Sequence, residues 1–191
     1  PELRGKGKLI DSWYQLNAWS RYENPMRPPP MPAQVATALA WYFVRAGHLG
    51  GAFLILLGFD CFLRTQEMLS LVISDITFST TGSGVVRLAH TKTGRRHAAS
   101  EASTILDPAL GLSFAEFQRG PPRNTHGQNY MFAPKTHVFY SLFKKGLRWL
   151  DLEDIGYQPY SLRRGGATAY FRATRNVGMA LDLSLIHISE P

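Results

Sequence analysis

The chain has 191 residues, 45% of them apolar, and a formal net charge of +7. That is length for one domain and a piece of another, with enough apolar side chain to exclude a disordered chain. The positive balance favours an acidic partner, nucleic acid first among them, and the single cysteine, Cys61, excludes an internal disulfide or a multi-cysteine zinc site.

Residues 1–24 carry Leu9, Trp13 and Leu16 on one helical stripe. The chain opens on Pro1 rather than methionine, so this stretch is read as the remnant of a preceding helical domain. Residues 25–32 hold five prolines. Proline lacks an amide donor and cannot continue a helix, which makes this a stiff linker and a domain boundary. A helix follows at 33–46, with Val35, Leu39, Tyr42, Phe43 and Ala46 turned inward and Gly47 ending it. The next, at 49–58, is apolar almost all round, which predicts full burial. Gly50, Gly51, Gly58 and Asp60 interrupt the apolar run 49–63, which falls short of the roughly 20 residues a membrane span needs. Cys61 within it reads as a small buried hydrophobe. A third helix spans about 65–72, with Thr65 as its N-cap. Strands are predicted at 75–78, 85–88 and 102–106, separated by Thr81-Gly82-Ser83-Gly84 and Thr93-Gly94. Asp107-Pro108 then caps a helix running to about 118. A polar loop at 120–130 and helices at 136–150 and 161–173 complete the chain. The fold class is α+β, mostly helical, with a small three-stranded antiparallel sheet.

Three segments carry chemistry. Arg64 lies at a helix start between apolar residues, and a guanidinium there needs an anion. Glu67, three residues on, can be that partner; a phosphate is the other candidate. Residues 90–97 are basic, and no acid occurs from Arg87 to Ser100. That pattern fits either a solvated turn or a loop presenting Lys92 to a phosphodiester. Arg163 and Arg164 open a helix, where the macrodipole disfavours cations and phosphates bind, so an anion is expected. Gly165 and Gly166 weaken that helix by about 1 kcal/mol each relative to alanine and permit close approach of a neighbouring backbone or of DNA. The sequence has no Gly-x-x-x-x-Gly-Lys, His-Glu-x-x-His or Gly-x-Ser-x-Gly motif.

In this order, and in helix, hairpin and helix contexts, the three segments resemble the catalytic boxes of tyrosine recombinases over about residues 35–175. Arg64, Glu67, Leu71 and Asp75 match the first box. Residues 91–95, Thr-Lys-Thr-Gly-Arg, match the hairpin turn that carries the family's lysine. Residues 160–168 match the second box, with Tyr160 where the family has histidine. The run Ser-Leu-Arg-Arg-Gly-Gly-Ala-Thr is similar to recombinases of eukaryotic mobile elements.

The resemblance implies the tyrosine-recombinase catalytic fold and site-specific recombination or integration through a 3′-phosphotyrosyl intermediate. It makes Arg64, Lys92, Tyr160 and Arg163 catalytic and gives Glu67 and Asp75 supporting roles. Tyrosine at 160 can hydrogen-bond but does not ionise readily near neutral pH, which puts the histidine's proton-transfer role in doubt. Double-stranded DNA is the implied partner, contacted by Thr91, Thr93, Arg95, Arg96, Arg164, Lys144, Lys145 and Arg148. Arg172 is a further candidate. Self-association on DNA is implied; no metal, no cofactor and no membrane are. The protein is expected with DNA, in the nucleus if eukaryotic and otherwise in the cytoplasm. The family's third-box histidine or tryptophan and its nucleophilic tyrosine should follow a few dozen residues after the second box. Tyr170 comes too soon, and residues 183–191 read as translated sequencing adapter. The expectation is therefore an incomplete catalytic domain at 33–182, without its nucleophile and inactive alone, from a recombinase parent. Two alternatives remain. One is a non-catalytic DNA-binding protein derived from a recombinase. The other is a structural protein whose arginines only pair internally, Arg64 with Glu67 and Arg163 with the acids at 151–154.

Overall fold

Residues 28–79, 82–88, 101–105, 107–119, 130–132 and 136–176 are described by a computed structural model. The expected helix within 1–24, the loop at 120–129 and the segment 183–191 lie outside them.

Helix α1 (Ala33–Arg45) buries Ala36, Leu39, Ala40 and Phe43, the i, i+3, i+4, i+7 spacing of one helix face. Ala46, expected inward, is exposed because it is the C-cap, beyond the last turn; Val35 and Tyr42 are half-buried. Gly47 ends the helix with φ +79°, the left-handed turn that glycine enters without steric penalty. Helix α2 (Leu49–Asp60) runs two residues beyond the predicted end and is buried from Gly50 through Ile55 and again at Leu57 and Gly58. Its apolar circumference makes it the central rod of the domain: α1 covers one side, and the final helix and the helix after the sheet cover others. Each such fully buried Leu, Ile or Phe contributes on the order of 1.5–3 kcal/mol.

Helix α3 (Thr65–Ser70) is shorter than predicted at its C-terminal end. Leu71 is extended, Val72 bridges to Tyr130, and the Asp75 carboxylate accepts the Val72 N–H at 3.1 Å. A 3-10 turn at Ile73–Asp75 leads into β1 (Ile76–Phe78). Strands β2 (Gly84–Leu88) and β3 (Glu101–Ile105) complete the antiparallel sheet in the order β1-β2-β3. Val86 pairs with Ile76 on one side and Ser103 on the other. Gly84, Val86 and Leu88 face the core while Val85 and Arg87 face solvent, the period-2 alternation that pins register.

Asp107 caps α4 (Pro108–Arg119) as expected, its Oδ1 accepting the Ala109 N–H at 2.9 Å. Phe114 and Phe117 of that helix meet Phe53 and Phe78 with ring centroids 5.0–5.7 Å apart, joining the sheet to α2. Helix α5 (Thr136–Trp149) packs on α1 through Phe139, 5.3 Å from Phe43. The last described helix, α6 (Tyr160–Thr174), lies against α2.

The linker is seated on α6. Met31, only 1% exposed, donates its N–H to the Ser161 carbonyl at 3.0 Å, and Arg164 donates to the Pro28 carbonyl. A Cβ at Gly165 would collide with the Met31 carbonyl oxygen, and one at Gly166 with that of Phe59. The glycine pair is therefore required by the protein's own backbone, with the linker on one side and the end of α2 on the other.

Candidate active site

The site begins where α2 ends. After the C-cap Cys61, Phe62 turns the chain with φ +51°, a conformation costing a residue with a Cβ about 1–2 kcal/mol. The Phe62 carbonyl accepts a hydrogen bond from Arg163 Nη1 at 2.8 Å. Leu63 is buried and anchors the next step. Arg64, not Thr65, is the N-cap of α3, and its extended backbone sets Glu67 at capping-box distance. The Glu67 carboxylate accepts the Arg64 N–H at 2.7 Å and Arg64 Nη1 at 2.6 Å.

Glu67 is 3% exposed and is shared: Arg163 Nη1 lies 4.0 Å from its Oε2. One carboxylate against two guanidiniums leaves the cluster net positive. The Arg163 side chain is 11% exposed and that of Arg64 37%, so one cation is sunk and the other stands at the rim. Burial, then repulsion from Arg64, pulls the Arg163 guanidinium below its ordinary pKa, while Glu67 and Tyr160 act in the opposite sense. Tyr160, one helical turn before Arg163, is exposed at this edge. The first and second boxes of the sequence thus meet: Arg64 and Arg163 share Glu67, and Tyr160 lies on the same helix as Arg163. Arg64 pairs with Glu67 as the internal-pairing alternative required, but Glu153 of the 151–154 group pairs with Arg148, at 2.8–2.9 Å, and Arg163 turns to Phe62 and Glu67.

The other candidates lie apart. Asp75 is buried in the turn before β1, holding the Val72 N–H and, at 3.4 Å, Arg87 Nη2. It braces the passage from α3 to the sheet rather than touching the arginine pair through a contact seen here. Arg164 faces the linker. Lys144, Lys145 and Arg148 are exposed on α5. Thr91, Lys92, Thr93, Arg95 and Arg96 lie outside the described residues, in the connection between β2 and β3, whose ends pair at Leu88 and Glu101. Cys61 is buried beside Thr104 and Ser103; burial, and secondarily Asp60, push its thiol well above the ordinary range, as for an inert core residue. Among the described residues no three His, Cys, Asp or Glu converge as a metal site, and no helix is long and apolar enough to cross a membrane. Sequence reasoning missed Phe62 and Pro28, since neither a positive φ on a phenylalanine nor a backbone acceptor leaves a mark in composition.

Two planar cations around one buried carboxylate present N–H donors in the fork geometry that suits bidentate bonds to an oxyanion. Solved structures with the same framework are known. The crystal structure of XerH site-specific recombinase bound to difH substrate, a pre-cleavage complex, superposes with a TM-score of 0.60 at 14% identity, over 86% of this chain and 51% of that one. The post-cleavage complex of XerH with palindromic difH gives a TM-score of 0.61 at 16% identity, over 85% and 47%. The chain has the tyrosine-recombinase catalytic-domain fold. It spans about half the length of these recombinases. No protein-family model and no curated protein matches the sequence. At this level of identity the tyrosine-recombinase likeness is one of fold.

Proposed function

We propose that the chain is part of a recombinase that cleaves and rejoins DNA strands by phosphodiester transesterification, with duplex DNA as its partner. The observation that carries this reading is the convergence of Arg64 and Arg163 on the one buried carboxylate of Glu67, with Tyr160 one helical turn before Arg163. In the reaction a tyrosine oxygen attacks phosphorus, and the five-coordinate transition state gathers negative charge on its non-bridging oxygens. Arg64 and Arg163 stabilise those oxygens with charge-assisted hydrogen bonds. Glu67 sets the spacing of the two cations without cancelling both. Lys92, on the β2–β3 connection, protonates the departing 5′-oxygen. Tyr160 donates a hydrogen bond where the family places histidine, and Asp75 supports the site from behind. The nucleophile in this reading is a tyrosine of the recombinase parent that is not among these 191 residues.

Thr91, Thr93, Arg95, Arg96, Arg164, Lys144, Lys145 and Arg148 are assigned to phosphate contacts. The Ser-Leu-Arg-Arg-Gly-Gly-Ala-Thr run supports a eukaryotic mobile-element source, and with it a nuclear setting and self-association on DNA.

The test is duplex binding by fluorescence anisotropy at low salt, comparing the chain with Arg64→Ala and Arg163→Ala. Each variant is expected to bind roughly tenfold more weakly, the loss of a charge-assisted phosphate contact. Unchanged affinity in both overturns the reading. A nicked duplex that traps covalent adducts tests the nucleophile: a covalent adduct on any residue of this chain overturns that assignment.

A further inference from the structure

We propose that Phe62 is a positioning residue for Arg163, an inference that deepens the recombinase reading and rests on it. Arg163 must hold its guanidinium plane steady while remaining fully charged. A second carboxylate would orient it but neutralise the cluster. A carbonyl orients without adding charge, and the Phe62 carbonyl lies 2.8 Å from Arg163 Nη1. That carbonyl is available because the backbone leaves α2 at Phe62 with φ +51°. A right-handed residue there would continue α2, whose last carbonyls run along the helix axis.

The ring holds the turn in place. Phe62 is 3% exposed, and its ring meets that of Tyr170 edge-on, with centroids 6.0 Å apart at 66°. Gly166 makes room for it: a Cβ there would stand 2.8 Å from the Phe62 ring. Gly166 and Tyr170 belong to α6, as does Arg163. The helix grips the Phe62 ring, and the Phe62 carbonyl grips the helix's arginine in return.

Two substitutions separate this role from ordinary packing. Phe62→Gly removes the ring but enters the left-handed region freely; Phe62→Val keeps an apolar side chain but resists that region. Packing alone therefore ranks glycine as the worse variant, and positioning ranks valine as the worse. The readout is the 15N guanidinium NMR signal of Arg163 in the full 191-residue chain, assigned with Arg163→Lys. The expected result is a slowly exchanging signal kept in Phe62→Gly and lost in Phe62→Val; any other pattern overturns the proposal. If the valine variant does not fold, Phe62→Gly alone decides: a lost signal overturns positioning and a retained one supports it. Duplex affinity should fall roughly tenfold in Phe62→Val, as for a lost phosphate contact, and hold within about threefold in Phe62→Gly. Arg64→Ala and Arg163→Ala are the references: if both leave affinity unchanged, the recombinase reading fails, while the NMR pattern, taken without DNA, still decides the role of Phe62.

Discussion

Glu67 is the residue on which the local charge balance turns, because its carboxylate satisfies a backbone N–H and faces two cations. Glu67→Ala removes the acceptor of the Arg64 N–H and the counter-charge of both guanidiniums, and we expect a loss of about 2–3 kcal/mol in urea unfolding, below the fully buried case because Arg64 is over a third exposed. Glu67→Gln keeps an acceptor for the Arg64 N–H and should lose less. Arg163 behaves in the opposite way. Its pKa in the folded chain is depressed, chiefly by burial, so at any pH below that value folding holds the charge at a cost. Relief by deprotonation would come only as pH rises through the folded pKa, far above the working range for a guanidinium; an anion is the practical source of relief. Added duplex DNA should therefore raise Tm by linkage. Arg163→Met should show a smaller response while its own stability stays within about 1 kcal/mol of the parent, since Glu67 keeps Arg64.

At the scale of elements, the approach of α6 to the linker and to α2 is close enough that two glycines face backbone carbonyls. Gly165→Ala and Gly166→Ala each drive a methyl into a backbone carbonyl, and each is expected to cost about 3 kcal/mol or more in a denaturation midpoint experiment. The helices, the strands and the Asp107 cap were legible because each rests on local signals: periodicity 3.6 or 2, and a side-chain oxygen before a proline. The Arg64–Glu67 pair was legible for the same reason, as its spacing is local. What escaped depends on long-range backbone placement. The early end of α3 follows from the Val72–Tyr130 bridge. The cap at Arg64 follows from an extended backbone that no side-chain preference of arginine announces. Gly165 and Gly166 were legible as a site of close approach, but only the fold shows that the visitor is Met31 on one side and Phe59 on the other.

For the whole molecule, the formal charge of +7 makes any duplex affinity a salt-dependent quantity. A plot of log affinity against log salt should be linear, with a slope of about −0.9 for each phosphate neutralised. Lys144→Ala and Lys145→Ala, on the exposed side of α5, should each flatten it by roughly one contact's worth if the DNA tracks that helix; an unchanged slope removes α5 from the interface. The seating of the linker has a mechanical consequence. Pro28 and Met31 precede α1 in the chain but are fastened to α6, through Arg164 and the Ser161 carbonyl. Tension applied to the chain ahead of Pro28 would thus load α6 before it loads α1, and would arrive one residue away from Arg163. The proline stretch then works less as a tether than as a crank fixed in its socket, able to carry a pull from upstream directly to the helix that holds the buried arginine.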